Sequence, residues 1–400
     1  MTSKKQRHWI PASAGMTSTA EKRVSQGFAQ QPLPAWRRAV LKVGSNLLTA
    51  GGTQLSAQHA RGLADFVLAS RAQGREVVIV SSGAVAAGRA RVHEDAGGLV
   101  ARQALAALGQ THMVALWQEL LGALPAAQVL LAHDDLRNRR RYLNARNTLL
   151  ELLRLAVVPV VNENDTVAVE ELKLGDNDNL AAIVSALVDA DLLLIASDVD
   201  GLYDSHPLLN PSARPVESVA AVTPDILAMA GEAGSARGTG GMHTKLQAAT
   251  KAANAGITTV LFNGTREESV ALLGTGAFRG TRFAAASSRL AARKYWLRHA
   301  PGADGRIRVD TGAARALSGG KSLLPGGIVG VDGEFQRGDI VEVVCDDRAV
   351  ARGLVQYNAG EVRRLAGRQS REIETLLGFS YGDEILHRND LVVLIEGVTA

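Results

Sequence analysis

Two short clusters of carboxylate and amide side chains lie in the middle of the sequence. The first is Asn162-Glu163-Asn164-Asp165, and the second is Gly175-Asp176-Asn177-Asp178-Asn179. Side chains of this kind suit a polar, zwitterionic or phosphorylated ligand. The Asn, Asp and Gly residues among them are also common turn formers when they occur alone. Two clusters separated by fewer than ten residues favour a binding site.

The elements around these clusters explain where such a site would lie. The apolar run 157–161 predicts a buried parallel strand, and a helix is predicted to resume near Leu180. In open α/β sheets, ligands bind beyond the carboxyl ends of the strands, where loops converge and helix N-termini point inward. The polar loop between this strand and this helix is therefore where we expect chemistry.

Three further predicted strands end in residues that could contact a ligand. Lys42 lies in the apolar run 39–43, and it is either a phosphate ligand or a snorkelling edge residue. Ser81-Ser82-Gly83 follows the run 76–80, and Ser197-Asp198 follows the run 192–196. Strands alternate with helices, and all of the informative loops fall on one side, which predicts a mainly parallel sheet between helices.

A glycine-rich segment, 237–245, opens the predicted helix that runs to Ala255. Glycines, threonines and a lysine at a helix N-terminus are typical of a phosphate-binding nest. The segment lacks the spacing of a Walker A loop. A strand-linked G-x-G-x-x-G is also absent, which disfavours a dinucleotide-binding fold.

The net charge of +4 is concentrated near the N-terminus. The first 38 residues hold seven basic residues and one acidic residue, which leaves 37 basic and 39 acidic residues in the rest. The body of the protein is therefore close to neutral, which argues against a general nucleic-acid-binding surface. Residues 1–35 lack apolar periodicity, and we predict that they form a disordered basic extension.

The sequence favours a cytoplasmic location. Residues 1–35 have no apolar core typical of a secretory signal. The single cysteine, Cys345, excludes an intramolecular disulfide and fits a reducing compartment. No apolar run approaches the roughly 18 residues of a membrane span, so no membrane partner is predicted. A mitochondrial-type presequence and translation from an upstream start codon stay open as alternatives for residues 1–35.

The C-terminal quarter of the sequence has a different pattern of apolar runs and glycines. Short β-type runs broken by glycine turns occupy residues 306–355, which predicts a small barrel-like β domain. We assign residues 36–290 to the α/β domain, 291–304 to a linker, 305–385 to the β domain and 386–400 to a C-terminal segment. Residues 305–400 contain 12 basic and 14 acidic residues, so no basic footprint is present there.

Taken together, these segments resemble the amino acid kinase family, in particular those members that carry a C-terminal PUA domain. The specific part of the resemblance is the pairing of Asn-Glu-Asn-Asp at 162–165 with Gly-Asp-Asn-Asp-Asn at 175–179, together with the appended β domain. The motifs at 40–45, 80–84, 197–203 and 238–245 match as well. The resemblance implies an αβα sandwich of the amino acid kinase fold, followed by a PUA domain.

The resemblance also implies an activity, which is transfer of the γ-phosphoryl group of ATP, with Mg²⁺, to the side-chain carboxylate of L-glutamate in the first step of proline biosynthesis. Lys42 and Lys245 are the implied neutralising cations, and Asp178 is the third implied catalytic residue. Asp176 and Asp178 are assigned to orienting a lysine or a Mg²⁺-bound water, and no protein ligand to a metal is assigned.

The implied binding residues fall into two groups. The glutamate group comprises Ser82, Asp165, Asn177 and Asp176, with Asp165 taking the α-ammonium. The ATP group comprises Lys42, Ser197, Asp198, Thr239, Gly240, Gly241, Met242, His243, Thr244 and Lys245. The resemblance further implies a homo-oligomer and feedback inhibition by proline.

Two alternatives remain open at this stage. Another member of the family would phosphorylate aspartate, N-acetylglutamate or UMP. A protein of a different class would bind RNA through the PUA domain and act as a regulator, although the near-neutral β domain counts against it because phosphate contacts need clustered Lys and Arg.

Overall fold

The computed structural model describes residues 27–50, 54–92, 98–132, 135–136, 138–167, 177–207, 209–230, 241–286, 294, 297–298, 303 and 305–394. These residues form two separate β-sheets, each with its own helices and its own apolar core. No described helix is both long enough and apolar enough to cross a membrane.

The larger sheet contains nine strands. They are β1 (Gln30–Pro32), β2 (Arg38–Val43), β3 (Glu76–Ser81), β4 (Ala126–Leu131), β5 (Val158–Glu163), β6 (Leu192–Ser197), β7 (Ser218–Val219), β8 (Thr258–Asn263) and β9 (Ala277–Phe283). Their order is β1-β9-β8-β6-β2-β3-β5-β4, and β7 pairs with β9. The six central strands, β8 to β4 in that order, are parallel, whereas β9 runs antiparallel to both β8 and β1.

Helices cover both faces of this sheet. They are α1 (Ser45–Thr49), α2 (Ala60–Ala72), α3 (Ala84–Arg89), α4 (Leu99–Leu121), α5 (Arg139–Arg154), α6 (Asn177–Leu187), α7 (Pro224–Met229), α8 (Met242–Asn254) and α9 (Glu267–Gly274). One core cluster joins the sheet to α5, α6 and α8, and a second joins the opposite face to α2, α4 and α9. This arrangement is the predicted αβα sandwich.

Strand β2 is fully buried, and its alternating side chains serve both cores. Val40 packs in the cluster of α6 and α8, whereas Leu41 packs in the cluster of α2 and α4. Because side chains alternate along a strand, Lys42 lies on the same face as Val40. The only charged residue in the middle of this apolar strand therefore faces α6 and α8.

Helices α3 and α4 approach each other closely through glycines. A Cβ on Gly88 would lie 1.9 Å from the carbonyl oxygen of Leu105, and a Cβ on Gly109 would lie 1.8 Å from that of Ala84. Helix α4 also contacts the end of β3, because Trp117 Nε1 donates to Ser81 Oγ at 2.8 Å. The glycines thus let α4 lie against the chain that follows β3.

The smaller sheet has five strands in the order β11-β10-β12-β13-β14. These are β10 (Gly305–Val309), β11 (Ile328–Gly333), β12 (Ile340–Cys345), β13 (Arg348–Val355) and β14 (Leu386–Val393), accompanied by α10 (Thr311–Ser318), α11 (Ala359–Leu365), α12 (Ile373–Leu377) and 3-10 turns at Pro325–Gly327 and Ser370–Glu372. Their shared core includes Ile307, Val343 and Tyr357.

Three boundaries differ from the sequence-based expectations. Residues 27–35 do not belong to a disordered extension, since Phe28 is buried and β1 pairs with β9. Residues 386–393 are not a separate C-terminal segment, because β14 pairs with β13 and completes the smaller sheet. Helix α6 is described from Asn177, three residues before the predicted start at Leu180, and the polar side chains of its first turn contact neighbouring elements.

The glycine contact between α3 and α4 leads to a stability prediction. Gly109→Ala would force a Cβ against the Ala84 carbonyl, and we expect a loss of about 1–3 kcal/mol in the free energy of unfolding, as in other overpacked cores. Urea denaturation would measure it. Gly274→Ala is the matched control, because that glycine ends α9 with nothing within 4 Å of an added Cβ. Equal effects of the two substitutions would contradict the close-contact account.

Candidate active site

A buried carboxylate lies between two lysines at the carboxyl edge of the larger sheet. Asp178 Oδ1 is 2.5 Å from Lys42 Nζ, and Asp178 Oδ2 is 3.3 Å from Lys245 Nζ. The Asp178 side chain is fully buried, and the lysine side chains are only 7% and 8% exposed. Two positive charges and one negative charge are thus enclosed together, which leaves an excess of one positive charge.

The surroundings of Asp178 keep it ionised. Its burial alone would raise the pKa, but the nearby Lys42 and Lys245 charges, with hydrogen bonds from Lys42 and Thr244, lower the pKa to about 2. The Thr244 hydroxyl lies 3.0 Å from Asp178 Oδ2 and 2.8 Å from the Gly241 carbonyl oxygen. Asp178 is therefore an anion at any physiological pH, and it cannot act as a general acid there.

Each member of this triad comes from a different element. Lys42 projects from β2, Asp178 from the first turn of α6, and Lys245 from the first turn of α8. An acidic side chain in the first turn of a helix is also stabilised by the helix dipole. Parallel strands and the helices that follow them bring these N-termini to one edge, where an anionic ligand would meet both lysines.

A second group of polar side chains lies next to the triad. Asn177 Nδ2 is 2.8 Å from Ser82 Oγ, 2.9 Å from Asn162 Oδ1 and 3.2 Å from the Ser81 carbonyl oxygen. Because Asn177 and Asp178 are consecutive, the first turn of α6 joins this amide group to the charged triad.

The residues after β6 form a further polar group. Asp198 Oδ2 accepts from Asn46 Nδ2 at 2.8 Å, and Asp198 Oδ1 accepts from Ser197 Oγ at 3.2 Å. Ser197, the last residue of β6, is buried, whereas Asp198, the next residue, is exposed. Strand β6 is a neighbour of β2 in the sheet. Asn46 of α1 holds the Asp198 carboxylate in place.

The remaining predicted binding residues divide between the described and undescribed parts of the chain. Gly241 precedes α8, and Met242, His243 and Thr244 form its first turn with Lys245. Asp165 lies partly buried in the turn after β5. Thr239, Gly240 and Asp176 lie outside the described residues. The structure thus brings together Lys42, Asp178 and Lys245, and separately Ser82 and Asn177.

The sequence-based reasoning did not identify Gln110. This residue is buried in α4, and its Oε1 accepts from Asn162 Nδ2 at 2.9 Å. The available signal was a glutamine on the buried face of α4, four residues after Ala106 and three before Met113, both of which are buried.

Comparison with known proteins identifies the family of this chain. The profile of the amino acid kinase family matches residues 37–263, which is more than half of the 400 residues. The chain belongs to the amino acid kinase family. A PUA domain profile matches residues 305–377, which span most of the smaller sheet.

Similar members of this family share one name. A glutamate 5-kinase from Xanthomonas euvesicatoria pv. vesicatoria (strain 85-10) is 62% identical over 363 residues, which cover 89% of this chain and 100% of that protein. A glutamate 5-kinase from Xylella fastidiosa (strain M12) is 58% identical over 376 residues, which cover 92% of this chain and 98% of that protein. The likeness therefore extends through both sheets.

The triad leads to a prediction about pH and stability. Asp178→Asn leaves two buried lysines without their anion, and we expect a loss of about 3–5 kcal/mol in the free energy of unfolding at neutral pH. The folded pKa of about 2 lies below the ordinary value of 3.8, so the stabilisation is complete above pH 4 and is lost as the pH falls toward 2.

Urea denaturation of both proteins across this pH range would measure the difference. The difference in the free energy of unfolding between wild type and Asp178→Asn should become smaller below pH 4. Glu151→Gln is the control, because Glu151 pairs with Arg154 at the surface and its loss should have no measurable effect. If this difference in the free energy of unfolding is small at neutral pH, or does not change with pH, Asp178 is not the buried anion that pairs with the two lysines.

Proposed function

We propose that this chain transfers the γ-phosphoryl group of ATP to the side-chain carboxylate of L-glutamate, giving L-glutamyl 5-phosphate and ADP in the first step of proline biosynthesis. The observation that supports this most directly is the buried Lys42–Asp178–Lys245 triad, with its excess positive charge at the sheet edge. Relatives named glutamate 5-kinase at 58–62% identity favour glutamate over the other acceptors of the family.

The proposed reaction requires charge neutralisation and not a general base. The attacking carboxylate is already ionised at neutral pH, since the ordinary glutamate pKa is near 4.3. Its oxygen forms a bond to the γ-phosphorus, and the bond from that phosphorus to the β,γ-bridging oxygen breaks, so ADP leaves with the electron pair. Two anions must approach each other, and in this proposal Lys42 and Lys245 offset the charge on the moving phosphoryl group.

Asp178 has a positioning role in this proposal. Without a carboxylate between them, two enclosed lysine ammonium groups would repel each other. With Asp178 between them, both lysine side chains are held toward one place. The site then offers a fixed positive charge before the substrates arrive, which is the condition for electrostatic catalysis.

Glutamate binding is assigned to the polar group beside the triad. Ser82 and Asn177 lie 2.8 Å apart and form one wall of the proposed substrate site. Asp165 is assigned to the α-ammonium, because a carboxylate at the end of β5 complements a positive charge. Asp176 is assigned to the same site on the family resemblance alone.

ATP binding is assigned to the other side of the triad. The proposed nucleotide residues lie in the sequence at the end of β6 and just beyond it, and at and before the start of α8. They are Ser197, Asp198, Thr239, Gly240, Gly241, Met242, His243 and Thr244, with Lys42 and Lys245 at the phosphates.

Mg²⁺ is proposed to arrive with the nucleotide. In the described parts of the chain, no group of three or more His, Cys, Asp or Glu side chains could hold a metal ion. Both oxygens of Asp178 contact lysines, so this carboxylate is poorly suited to ligate a cation as well. ATP phosphates and water are therefore assigned most of the Mg²⁺ ligands.

Some predictions rest on the family resemblance alone. They are the homo-oligomeric state and feedback inhibition by proline. The proposed cytoplasmic location rests instead on the single cysteine and on the composition of residues 1–35. RNA binding through the PUA domain is not favoured. The chain matches a protein named glutamate 5-kinase along all of that protein's length, and the β domain is close to neutral.

The product of the reaction provides the direct test. Purified chain, MgATP and L-glutamate should yield an acyl phosphate that hydroxylamine traps as the hydroxamate, together with stoichiometric ADP. Aspartate, N-acetylglutamate and UMP should give little or no product under the same conditions. Activity with UMP alone, or with aspartate in preference to glutamate, would refute the proposed substrate.

Removal of one lysine tests the charge argument. Lys42→Met keeps most of the side-chain volume but deletes the charge, and we expect kcat to fall by about 10²–10³, the usual effect of losing one preorganised donor. The hydroxamate assay would measure it. Lys251→Met is the matched control, since Lys251 is exposed near the end of α8 and should leave kcat unchanged. Near-normal turnover of Lys42→Met would remove Lys42 from the mechanism.

A further inference from the structure

A chain of hydrogen-bonded amides connects helix α4 to the proposed glutamate site. Gln110 Oε1 accepts from Asn162 Nδ2 at 2.9 Å, and Asn162 Oδ1 accepts from Asn177 Nδ2 at 2.9 Å. Asn177 Nδ2 also lies 2.8 Å from Ser82 Oγ. Gln110 and Asn162 are buried, with 6% and 3% of their surface exposed. This amide chain thus runs from the interior to the ligand side of the sheet edge.

The direction of each amide in the chain depends on its neighbour. An amide has a donor end and an acceptor end, and two donor ends cannot bond to each other. The Ser81 carbonyl oxygen can only accept, so Asn177 must present its nitrogen on this side. Asn162 therefore presents its oxygen to Asn177 and its nitrogen to Gln110 Oε1. Asn177 must then present its nitrogen to Asn162 and Ser82, which directs its oxygen elsewhere.

The orientation of Asn177 leaves an acceptor for a ligand. Its two amide hydrogens have three acceptors in reach, namely Asn162 Oδ1, Ser82 Oγ and the Ser81 carbonyl oxygen. Within the described part of the chain, no group donates to Asn177 Oδ1. The α-ammonium is the hydrogen-bond donor that zwitterionic glutamate carries at neutral pH, so this oxygen complements it.

Gln110 is an unfavourable residue if packing is its only role. Its Nε2 is buried and has no hydrogen-bond partner among the described residues. A buried unsatisfied donor costs about 1–3 kcal/mol, which a methionine of similar volume would avoid. A residue that carries this cost in the second layer of a site is suited to a functional role.

We propose that Gln110 is a positioning residue for the amino-acid substrate. By accepting from Asn162 Nδ2, it stabilises the orientation in which Asn162 Oδ1 accepts from Asn177 and Asn177 Oδ1 is left for the α-ammonium. The close contact of Gly109 with the Ala84 carbonyl lets α4 approach closely enough for Gln110 to reach Asn162. This inference rests on the proposed function, since it takes the acceptor to be an amino acid.

Steady-state kinetics of Gln110→Met provides the test. We expect KM for glutamate to rise about tenfold, which corresponds to the loss of roughly one hydrogen bond. KM for ATP and kcat should stay within about twofold of wild type, because the triad is untouched. Glutarate, which lacks the ammonium group, should be used equally well by Gln110→Met and by wild type.

Gln118→Met is the matched control on the same helix. Gln118 Oε1 accepts from the Ala126 backbone N–H at 2.9 Å, and its Nε2 donates to the Gly122 carbonyl oxygen at 2.9 Å, so it joins α4 to the start of β4. Its loss should lower the melting temperature without changing KM for glutamate. If Gln110→Met does not fold, Gln110→Asn, which is too short to reach Asn162, should give the same rise in KM.

A double variant tests whether Gln110 acts through Asn162. Asn162→Ala should raise KM for glutamate, and adding Gln110→Met should raise it no further. Three results would overturn the inference. KM for glutamate could be unchanged in Gln110→Met, KM could rise equally for glutamate and glutarate, or the rises in KM could be additive in the double variant. Failure of the proposed function is distinguishable, because wild type itself would then form no glutamyl hydroxamate.

Discussion

The contact on which the rest of this site depends is that of one buried carboxylate with two lysines. Asp178 touches both Lys42 and Lys245 while its own side chain is fully buried. Burying a charged group costs free energy unless the charge is paired, and the negative charge of Asp178 is paired with two positive charges. The surplus positive charge is then available to an incoming anion. A site of this composition is suited to phosphoryl transfer, in which positioning and charge neutralisation account for most of the catalysis.

The fold places these charges through ordinary packing rules. Alternation along β2 directs Lys42 to the face that carries α6 and α8, while the neighbouring Leu41 packs on the other side. The first turn of α6 supplies Asp178 to the lysines and Asn177 to Ser82, so one helix terminus serves both proposed substrates. On the buried side of this helix terminus, hydrogen bonds from Asn162 to Gln110 and from Asn177 to Asn162 hold the side-chain amide of Asn177.

Local sequence patterns predicted much of the fold, because buried strands and amphipathic helices depend mainly on near neighbours. The triad residues were candidates through strand-end position and family motifs, but their mutual contacts depend on packing between distant elements. Gln110 was missed because a glutamine in an apolar helix looks like any partly buried residue. The pairing of residues 30–32 with β9 and of 386–393 with β13 was missed too, since short strands are stabilised by partners far away in sequence.

The most direct measurement is a crystal structure of the chain with MgADP, L-glutamate and a planar phosphoryl mimic such as aluminium fluoride. We expect the mimic to lie between the glutamate side-chain carboxylate and ADP, within hydrogen-bonding distance of both Lys42 Nζ and Lys245 Nζ. Asp178 should still contact both lysines in that complex. A mimic bound out of reach of either lysine, or glutamate bound away from Ser82 and Asn177, would contradict it.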